Sequence, residues 1–297
     1  MTERSDIEFK TIDHVTLRGW IFKPKDAQGK YPCLIISHGL TCLKEMYLDT
    51  LAERLTSVLP IACLVYDHRG YGSSDQKENE PRNEIVGTQQ ASDLQDAITY
   101  AQSREDVDAF KIGLWGYSYS VAAIDRRVKA VIAVAPFSTG DILINNLRTD
   151  FEDMVHGMLA QERLSRAAGN EPGKMPVIVE NPVDQAALPH AESFAFFSPW
   201  VEKIGWKNEL TIRSFESIIE YFPSARIHQI GPTPLLMQVP EKDVVGVTTA
   251  MLEAYSRARE PKELQMLPGG HFSIFEGKDF ETLLAKEVEF LERTLLR

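Results

Sequence analysis

The chain has 297 residues, of which 43% are hydrophobic and 25% are charged. This composition is ordinary for a globular protein, so it excludes extensive disorder, collagen and coiled coil. The formal net charge is −11, from 32 basic and 43 acidic residues. Such an acidic chain is a poor candidate for binding nucleic acid or an anionic membrane.

The cysteines and the N-terminal segment predict the redox and cellular setting. Three cysteines without metal-ligand spacing indicate neither a disulfide framework nor a metal site. Residues 1–8 contain no apolar segment of a secretory signal, and the longest apolar runs, such as 128–136, are too short to span a bilayer. We therefore expect a cytoplasmic protein, with Cys33 and Cys63 as buried thiols in apolar strands.

Apolar runs typical of strands alternate with helical patterns through the first half of the chain. The runs predict a hairpin of strands 7–11 and 15–22, then strands at 31–37, 61–66, 111–115 and 128–135. Apolar residues at helical spacing predict helices over 45–59 and 84–102. Buried strands separated by amphipathic helices are typical of a mostly parallel sheet covered on both faces.

Residues 137–231 interrupt this alternation. Prolines punctuate the segment, although its sequence has helix-like patches at 141–166 and 214–221. The alternation then resumes with strands at 234–238 and 263–266 and helices at 247–259 and 280–296. We predict a single α/β domain over 1–297, in which 137–231 is an inserted lid above the carboxyl ends of the strands.

The aromatic residues of this insertion allow two interpretations that do not exclude each other. They could line an apolar pocket for a ligand beneath the lid, or they could simply pack the insertion against the rest of the protein. The residues concerned are Phe194, Phe196, Phe197, Trp200 and Trp206.

The first candidate catalytic residue is Ser118, in the sequence Gly-Tyr-Ser-Tyr-Ser directly after the predicted strand 111–115. Gly-x-Ser-x-Gly between a strand and a helix is typical of a nucleophile elbow, whose strained turn lifts the serine hydroxyl clear of the sheet. Ser120 replaces the second glycine of this pattern. The alternative is an ordinary serine in a solvated loop.

A carboxylate and a histidine follow the last two predicted strands, in the chain order Ser, Asp, His. They are Asp243, with Glu241 as a second choice, and His271. A serine hydroxyl needs a base within hydrogen-bond reach, and a carboxylate can fix the tautomer of that base. The glycines 269–270 would let the histidine loop approach the elbow. Asp243 could instead cap the next helix, and His271 could be a surface histidine.

Two loops could supply backbone N–H groups to an oxyanion. In sites of this order one donor follows the third strand, here Leu40, and the other is the residue after the nucleophile, here Tyr119. His38 is then structural and not a base, and a plain strand-to-loop turn is the alternative. Residues 67–74 have turn glycines but no phosphate-binding pattern, so their predicted role is architectural.

With these motifs in place, the chain resembles the α/β-hydrolases. More narrowly, it resembles the fungal polyketide transferase and thiohydrolase family of secondary-metabolite and host-selective-toxin pathways. The stretches that carry the resemblance are residues 15–20, 38–47, 65–72, 111–120, 261–264 and 269–272. The resemblance implies that Ser118, Asp243 and His271 form a catalytic triad that needs no cofactor. It also implies acyl transfer or hydrolysis on a polyketide-derived ester or thioester, a small molecule delivered by a polyketide synthase.

One departure from the family motivates an alternative function. Family members carry a Gly-Gly pair and a helix after the nucleophile, whereas here only residues 117–127 precede the next strand. The helix after an elbow places its N-terminus under the developing oxyanion, so shortening it could displace Ser118 or the N–H of Tyr119. The alternative is a catalytically impaired homologue that binds an acyl ligand or a partner enzyme. A peptidase ranks last, because the insertion offers no assignable carboxylate pair for a peptide N-terminus.

Overall fold

The fold is built on one central sheet of eight strands. The computed structural model describes residues 2–25, 29–118, 125–140, 149–181 and 185–297. Its strands are β1 (Thr2–Lys10), β2 (Thr16–Pro24), β3 (Tyr31–Ser37), β4 (Ala62–Tyr66), β5 (Val107–Tyr117), β6 (Val128–Val134), β7 (Lys174–Met175), β8 (Leu210–Thr211), β9 (Leu235–Pro240) and β10 (Lys262–Leu267). The central sheet has the order β1-β2-β4-β3-β5-β6-β9-β10, and β7 pairs separately with β8.

The predicted mostly parallel sheet with accompanying helices is confirmed. Strands β1 and β2 pair antiparallel, as do β2 and β4, and the remaining pairs of the central sheet are parallel. The α-helices are α1 (Leu48–Val58), α2 (Gly87–Ser103), α3 (Thr149–Ala167), α4 (Ala191–Ile204), α5 (Arg213–Ile219), α6 (Thr248–Arg257) and α7 (Gly277–Thr294). Short 3-10 helices cover Pro223–Gln229 and Ser273–Phe275. Within the described ranges, no helix is both long and apolar enough to cross a membrane.

Helix α4 lies where the sequence predicts irregular chain, because Pro199 indicates a helix break. The helix nevertheless continues through Pro199. Proline removes one backbone hydrogen bond to the carbonyl four residues earlier. That carbonyl belongs to Ala195, an exposed residue, so water can solvate it. The predicted helix 141–166 is described only from residue 149 onward, and its earlier part lies outside the described residues.

The described part of residues 137–231 shares a second apolar cluster with the loops after β3 and β4. Phe197, Trp200 and Trp206 are buried there, and the rings of Phe197 and Trp206 stack at 4.8 Å. Trp206 also donates a hydrogen bond from Nε1 to the carbonyl of Thr41, at 3.0 Å. These aromatic side chains therefore pack the segment against the loop after β3, which is one of the two roles predicted for them.

A buried carboxylate ties together the loops that follow β3 and β4. Asp67 accepts hydrogen bonds from the backbone N–H and the Nζ of Lys44, at 2.9 and 2.7 Å, and from the backbone N–H of Ser73 at 3.0 Å. A Cβ on Gly72 would lie only 2.3 Å from Asp67 Oδ2, so this position excludes a side chain. The loop thus has the architectural role that its glycines predict.

A second buried carboxylate, Glu287, lies on α7 beneath the sheet. Its side chain is 0% exposed, and Trp115 on β5 donates a 2.6 Å hydrogen bond from Nε1 to Oε1. Its other oxygen, Oε2, has no hydrogen-bond partner among the described residues. Burial raises the pKa of Glu287 to about 8 from an ordinary value of 4.5, so the carboxyl is protonated in the folded protein at neutral pH.

We predict that Glu287 makes the folded protein less stable as the pH rises from 4.5 to about 8. In this range the unfolded chain has lost the proton that the folded protein keeps, so the free energy of unfolding falls with pH. Glu287→Gln cannot ionise and retains an acceptor for Trp115. Urea unfolding at pH 5 and pH 8.5 should therefore show the variant gaining stability relative to the wild type as the pH rises.

The matched control is Glu292→Gln, an exposed substitution on the same helix, which should leave the pH dependence unchanged. An identical pH slope in wild type and Glu287→Gln would refute the assignment.

Candidate active site

Ser118 lies in a strained turn directly after β5. Its φ angle is +51°, in the left-handed region that non-glycine residues rarely adopt. The turn is held to the neighbouring strand and its exit loop, since the N–H of Ser118 donates to Val134 at 3.0 Å and its carbonyl accepts from Phe137 at 2.9 Å. This is the backbone geometry that the elbow motif predicts.

The three predicted side chains lie in one hydrogen-bonded chain. His271 Nε2 lies 3.0 Å from Ser118 Oγ, and His271 Nδ1 lies 2.6 Å from Asp243 Oδ2. A carboxylate can only accept, so Nδ1 carries the ring proton and Nε2 presents its lone pair to the serine hydroxyl. His271 is only 1% exposed. The second-choice carboxylate Glu241 is exposed and has no hydrogen bond to His271.

Asp243 is itself fixed by the turn that follows it. Its Oδ1 accepts the backbone N–H groups of Val245 at 2.9 Å and Gly246 at 2.7 Å, which leaves Oδ2 for His271. The backbone N–H of Thr248, the first residue of α6, lies 3.4 Å from the Asp243 carbonyl. The alternative prediction, that Asp243 caps the next helix, is wrong, because the N-cap of α6 is Val247 and it has no side-chain cap hydrogen bond. One oxygen of Asp243 instead orders the turn before the helix, and the other faces the histidine.

The loop carrying Leu40 passes directly over the serine. A Cβ on Gly39 would lie 2.9 Å from Ser118 Cβ, so only glycine fits there. His38 accepts from the N–H of Gly39 at Nδ1 and therefore donates from Nε2 to the carbonyl of Met46, at 2.7 Å. Burial lowers the pKa of His38 to about 4, which keeps it neutral and structural. Among the hydrogen bonds of the described residues, none uses the N–H of Leu40.

Tyr119, the second predicted oxyanion donor, lies outside the described residues, as do Ser120 and the rest of 119–124. The far end of this connection is described. Arg127 donates to Thr99 Oγ1 at 2.8 Å, and Arg126 donates to the carbonyl of Gly231 at 3.0 Å. These two arginines anchor the entry into β6 to α2 and to the loop before β9.

Several loops that follow strands of the central sheet contain strained backbone. Besides Ser118, the described non-glycine residues with positive φ angles are Thr41 (57°) and Tyr47 (70°) after β3, Asn79 (66°) and Asn83 (60°) after β4, Ala135 (44°) after β6, Val247 (58°) after β9, and His14 (68°) in the turn between β1 and β2. Such conformations cost on the order of 1–3 kcal/mol each and persist where the surrounding structure enforces them, frequently at functional sites. Their position supports this end of the sheet as the functional site.

The glycines 269–270 have a different role from the predicted one. A Cβ on Gly269 would lie 1.9 Å from Ser273 Oγ, and a Cβ on Gly270 would lie 2.7 Å from Glu192 Oε2. The pair therefore makes room for the histidine loop's own turn and for a carboxylate of α4, and not for the elbow. Glu192 is a residue that the sequence did not single out, because nothing in its local pattern marks it.

The remaining candidates for other chemistry do not form a site. Among the described residues, no group of three or more His, Cys, Asp or Glu side chains is placed to hold a metal ion. Cys33, Cys42 and Cys63 are free and buried, as predicted for Cys33 and Cys63. Burial raises the pKa of each thiol, to about 12 for Cys33, so these thiols are unreactive.

We predict that Gly39→Ala slows the reaction of Ser118 with a fluorophosphonate, a reagent for activated serines, by at least roughly 100-fold. The new methyl group would lie within 2.9 Å of Ser118 Cβ, and a misplacement of about 1 Å can cost ~10² in rate. The rate of covalent labelling, followed by mass spectrometry, measures this effect. Gly157→Ala is the matched control, because a Cβ there meets nothing within 4 Å. Equal labelling rates in the two variants would contradict the prediction.

Comparison with known proteins places this architecture in a family. No family model matches the chain. The chain is 35% identical to the polyketide transferase grgF of Penicillium sp. over 302 residues, covering 98% of this chain and 96% of that protein. It is 29% identical to a thiohydrolase of Eupenicillium brefeldianum, with 98% and 95% covered. The crystal structure of the α/β-hydrolase GrgF from Penicillium sp. sh18 superposes with a TM-score of 0.84 at 32% identity, covering 99% of this chain and 100% of that one. The chain therefore belongs to the polyketide transferase and thiohydrolase family of α/β-hydrolases.

Proposed function

We propose that this protein is a serine hydrolase or acyltransferase in which Ser118 is the nucleophile, His271 the general base and Asp243 the residue that orients the base. The observation that carries the proposal is the hydrogen-bonded chain from Ser118 Oγ through His271 to Asp243, with distances of 3.0 and 2.6 Å. Its order along the chain and its position at the strand ends are those of an α/β-hydrolase triad.

In the first half of the reaction, Ser118 Oγ attacks the carbonyl carbon of the substrate while His271 Nε2 takes the hydroxyl proton. The imidazolium that results is stabilised by the Asp243 carboxylate. The carbonyl oxygen becomes an oxyanion, for which we assign the N–H of Leu40 as one donor and that of Tyr119 as the other. When the intermediate collapses, the carbon–sulfur or carbon–oxygen bond breaks, and His271 returns its proton to the leaving thiol or alcohol.

In the second half, a second nucleophile releases the acyl group from Ser118. Water attacking the acyl-enzyme yields a carboxylic acid, and an alcohol yields a new ester. In each case His271 takes the proton of the nucleophile and passes it back to Ser118 Oγ. Hydrolysis and transfer therefore use the same residues and differ in the access of water to the acyl-enzyme.

For the substrate, we propose a polyketide-derived thioester or ester delivered by a polyketide synthase. The names of the relatives, polyketide transferase and thiohydrolase, support this class. Residues 137–231 would act as a lid over the site. The packing of Trp206 against the loop of Leu40, through the 3.0 Å hydrogen bond to Thr41, supports a direct connection between that segment and the oxyanion donors.

A second candidate is a protein that binds an acyl ligand or a partner enzyme without turnover. The specific observation in its favour is the short connection, residues 118–127, between the parallel neighbours β5 and β6. A shortened elbow could leave the oxyanion without the donor after Ser118 and so remove much of the rate. The positioned hydroxyl of Ser118 favours catalysis, so we rank this candidate second.

We predict that Ser118→Ala lowers turnover of a medium-chain N-acetylcysteamine thioester by at least roughly 10³-fold, because the acyl-enzyme can no longer form. The melting temperature should stay close to that of the wild type. The assay measures released thiol with a chromogenic disulfide. Ser103→Ala, at an exposed serine at the end of α2, should keep full activity.

Two results would overturn this assignment. Turnover that survives in Ser118→Ala would exclude the serine as nucleophile. Ligand-induced thermal stabilisation of the wild type, without turnover of thioesters, esters or short peptides and without fluorophosphonate labelling, would instead favour the binding protein.

A further inference from the structure

Glu192 brings a second carboxylate to the base of the proposed triad from outside the central sheet. It is the second residue of α4 and is half-buried. A Cβ built on Gly270 would lie only 2.7 Å from Oε2 of Glu192 and 3.7 Å from its Oε1. The carboxylate therefore lies directly on the backbone that precedes His271.

The backbone of the histidine loop faces this carboxylate with its donors. Burial raises the pKa of the Glu192 carboxyl above its ordinary value, and the nearby backbone N–H groups of His271 and Phe272 oppose this shift by favouring the ionised form. A neutral carboxyl would attract these N–H groups less strongly than a carboxylate, since hydrogen bonds to ionised acceptors are roughly twice as strong.

The backbone of His271 is held from its other side by β5, the strand that leads to Ser118. Tyr117, the residue before Ser118, donates from its hydroxyl to the carbonyl of His271 at 3.2 Å. The main chain of His271 thus lies between a contact from β5 and a contact from α4. The ring of His271 is held by hydrogen bonds at its two nitrogens and by packing against the rings of Tyr117 and Phe272. The main-chain contacts add to this by fixing the backbone from which the ring projects toward Ser118.

We propose that Glu192 is a positioning residue for His271, through which α4 holds the base in reach of Ser118. This inference rests on the proposed function. Its carboxylate supports the loop backbone, and its negative charge attracts the positive charge that His271 acquires on taking the serine proton. Proper placement of the base would then depend on residues 137–231 being docked on the sheet.

Several other charged or titratable groups face Glu192 and contribute to its pH dependence. His271 favours its ionised form, and Asp243 opposes it. On β5, burial raises the pKa of Tyr117, and the charge of Glu192 raises it further. His190 lies just before α4, and burial lowers the pKa of this histidine. An open cleft beside Glu192 is also lined by Lys203, Tyr47 and Glu276.

The test compares the rate constant for fluorophosphonate labelling of Ser118 in full-length variants between pH 6 and pH 9. Glu192→Ala should slow labelling by roughly 10- to 100-fold at pH 8, because the base is displaced. Glu192→Gln keeps an acceptor oxygen and should be affected less. Because burial raises the pKa of the Glu192 carboxyl, labelling of Glu192→Gln should lose the part of the acid-side pH dependence that Glu192 contributes in the wild type. Glu202→Gln, exposed on the same helix, is the matched control and should behave as the wild type.

A double substitution checks that the effect passes through the loop backbone. Gly270→Ala should slow labelling in the wild type, since its methyl group would displace Glu192 Oε2. In the Glu192→Ala background the same change should add little, because the displaced oxygen is gone. Effects that multiply in the double variant would contradict the coupling.

The outcomes separate this inference from the proposed function. An unlabelled wild type would overturn both. A labelled wild type together with Glu192→Ala and Glu192→Gln variants that match it in rate and pH profile would overturn the inference alone. A loss of labelling that follows a lowered melting temperature in both variants, with the wild-type pH profile retained, would also overturn it, because Glu192 would then be purely structural.

Discussion

The parallel pairing of β5, β6, β9 and β10 is the constraint on which the site depends. Parallel strands end at the same edge of a sheet, so the residues that follow β5, β9 and β10 meet there although they are far apart in the chain. Ser118 and His271 are thereby brought to 3.0 Å, and His271 and Asp243 to 2.6 Å. A slip of one residue in any of these strands would turn the following loop away from its partners.

The loops at this edge are fixed by buried polar groups and by glycines that allow close approach. Asp67 ties the loop after β4 to Lys44, in the loop after β3. Gly39 lets the loop after β3 pass over Ser118, where no side chain would fit. Because buried charges that lose a partner destabilise a protein by about 3–5 kcal/mol, the Asp67–Lys44 pair makes the loop arrangement costly to disturb.

Two of the contacts between the segment 137–231 and the proposed site involve the loops on either side of Ser118. Trp206 hydrogen-bonds to Thr41, beside the proposed oxyanion donor Leu40. Glu192 reaches the backbone beside His271. A segment that touches both the proposed oxyanion loop and the proposed base can make the geometry of each depend on its own docking. On the proposed function, the segment would therefore help to assemble the site as well as cover it.

Local pattern in the sequence was enough to predict the alternation of strands and helices and to name Ser118, Asp243 and His271 as candidates, with Glu241 as a second choice, because apolar periodicity and chain order can be read along the chain. The 2.6 Å contact of Asp243 with His271 and the contact of Glu192 with the histidine loop needed the tertiary structure. The tertiary structure was also needed to explain why positions 39 and 270 are glycine, because the close approaches there involve residues that are remote in the chain. Helix α4 was missed because Pro199 indicates a break locally, whereas packing of Phe197 and Trp200 stabilises the helix. Tyr119 remains a prediction of the sequence alone.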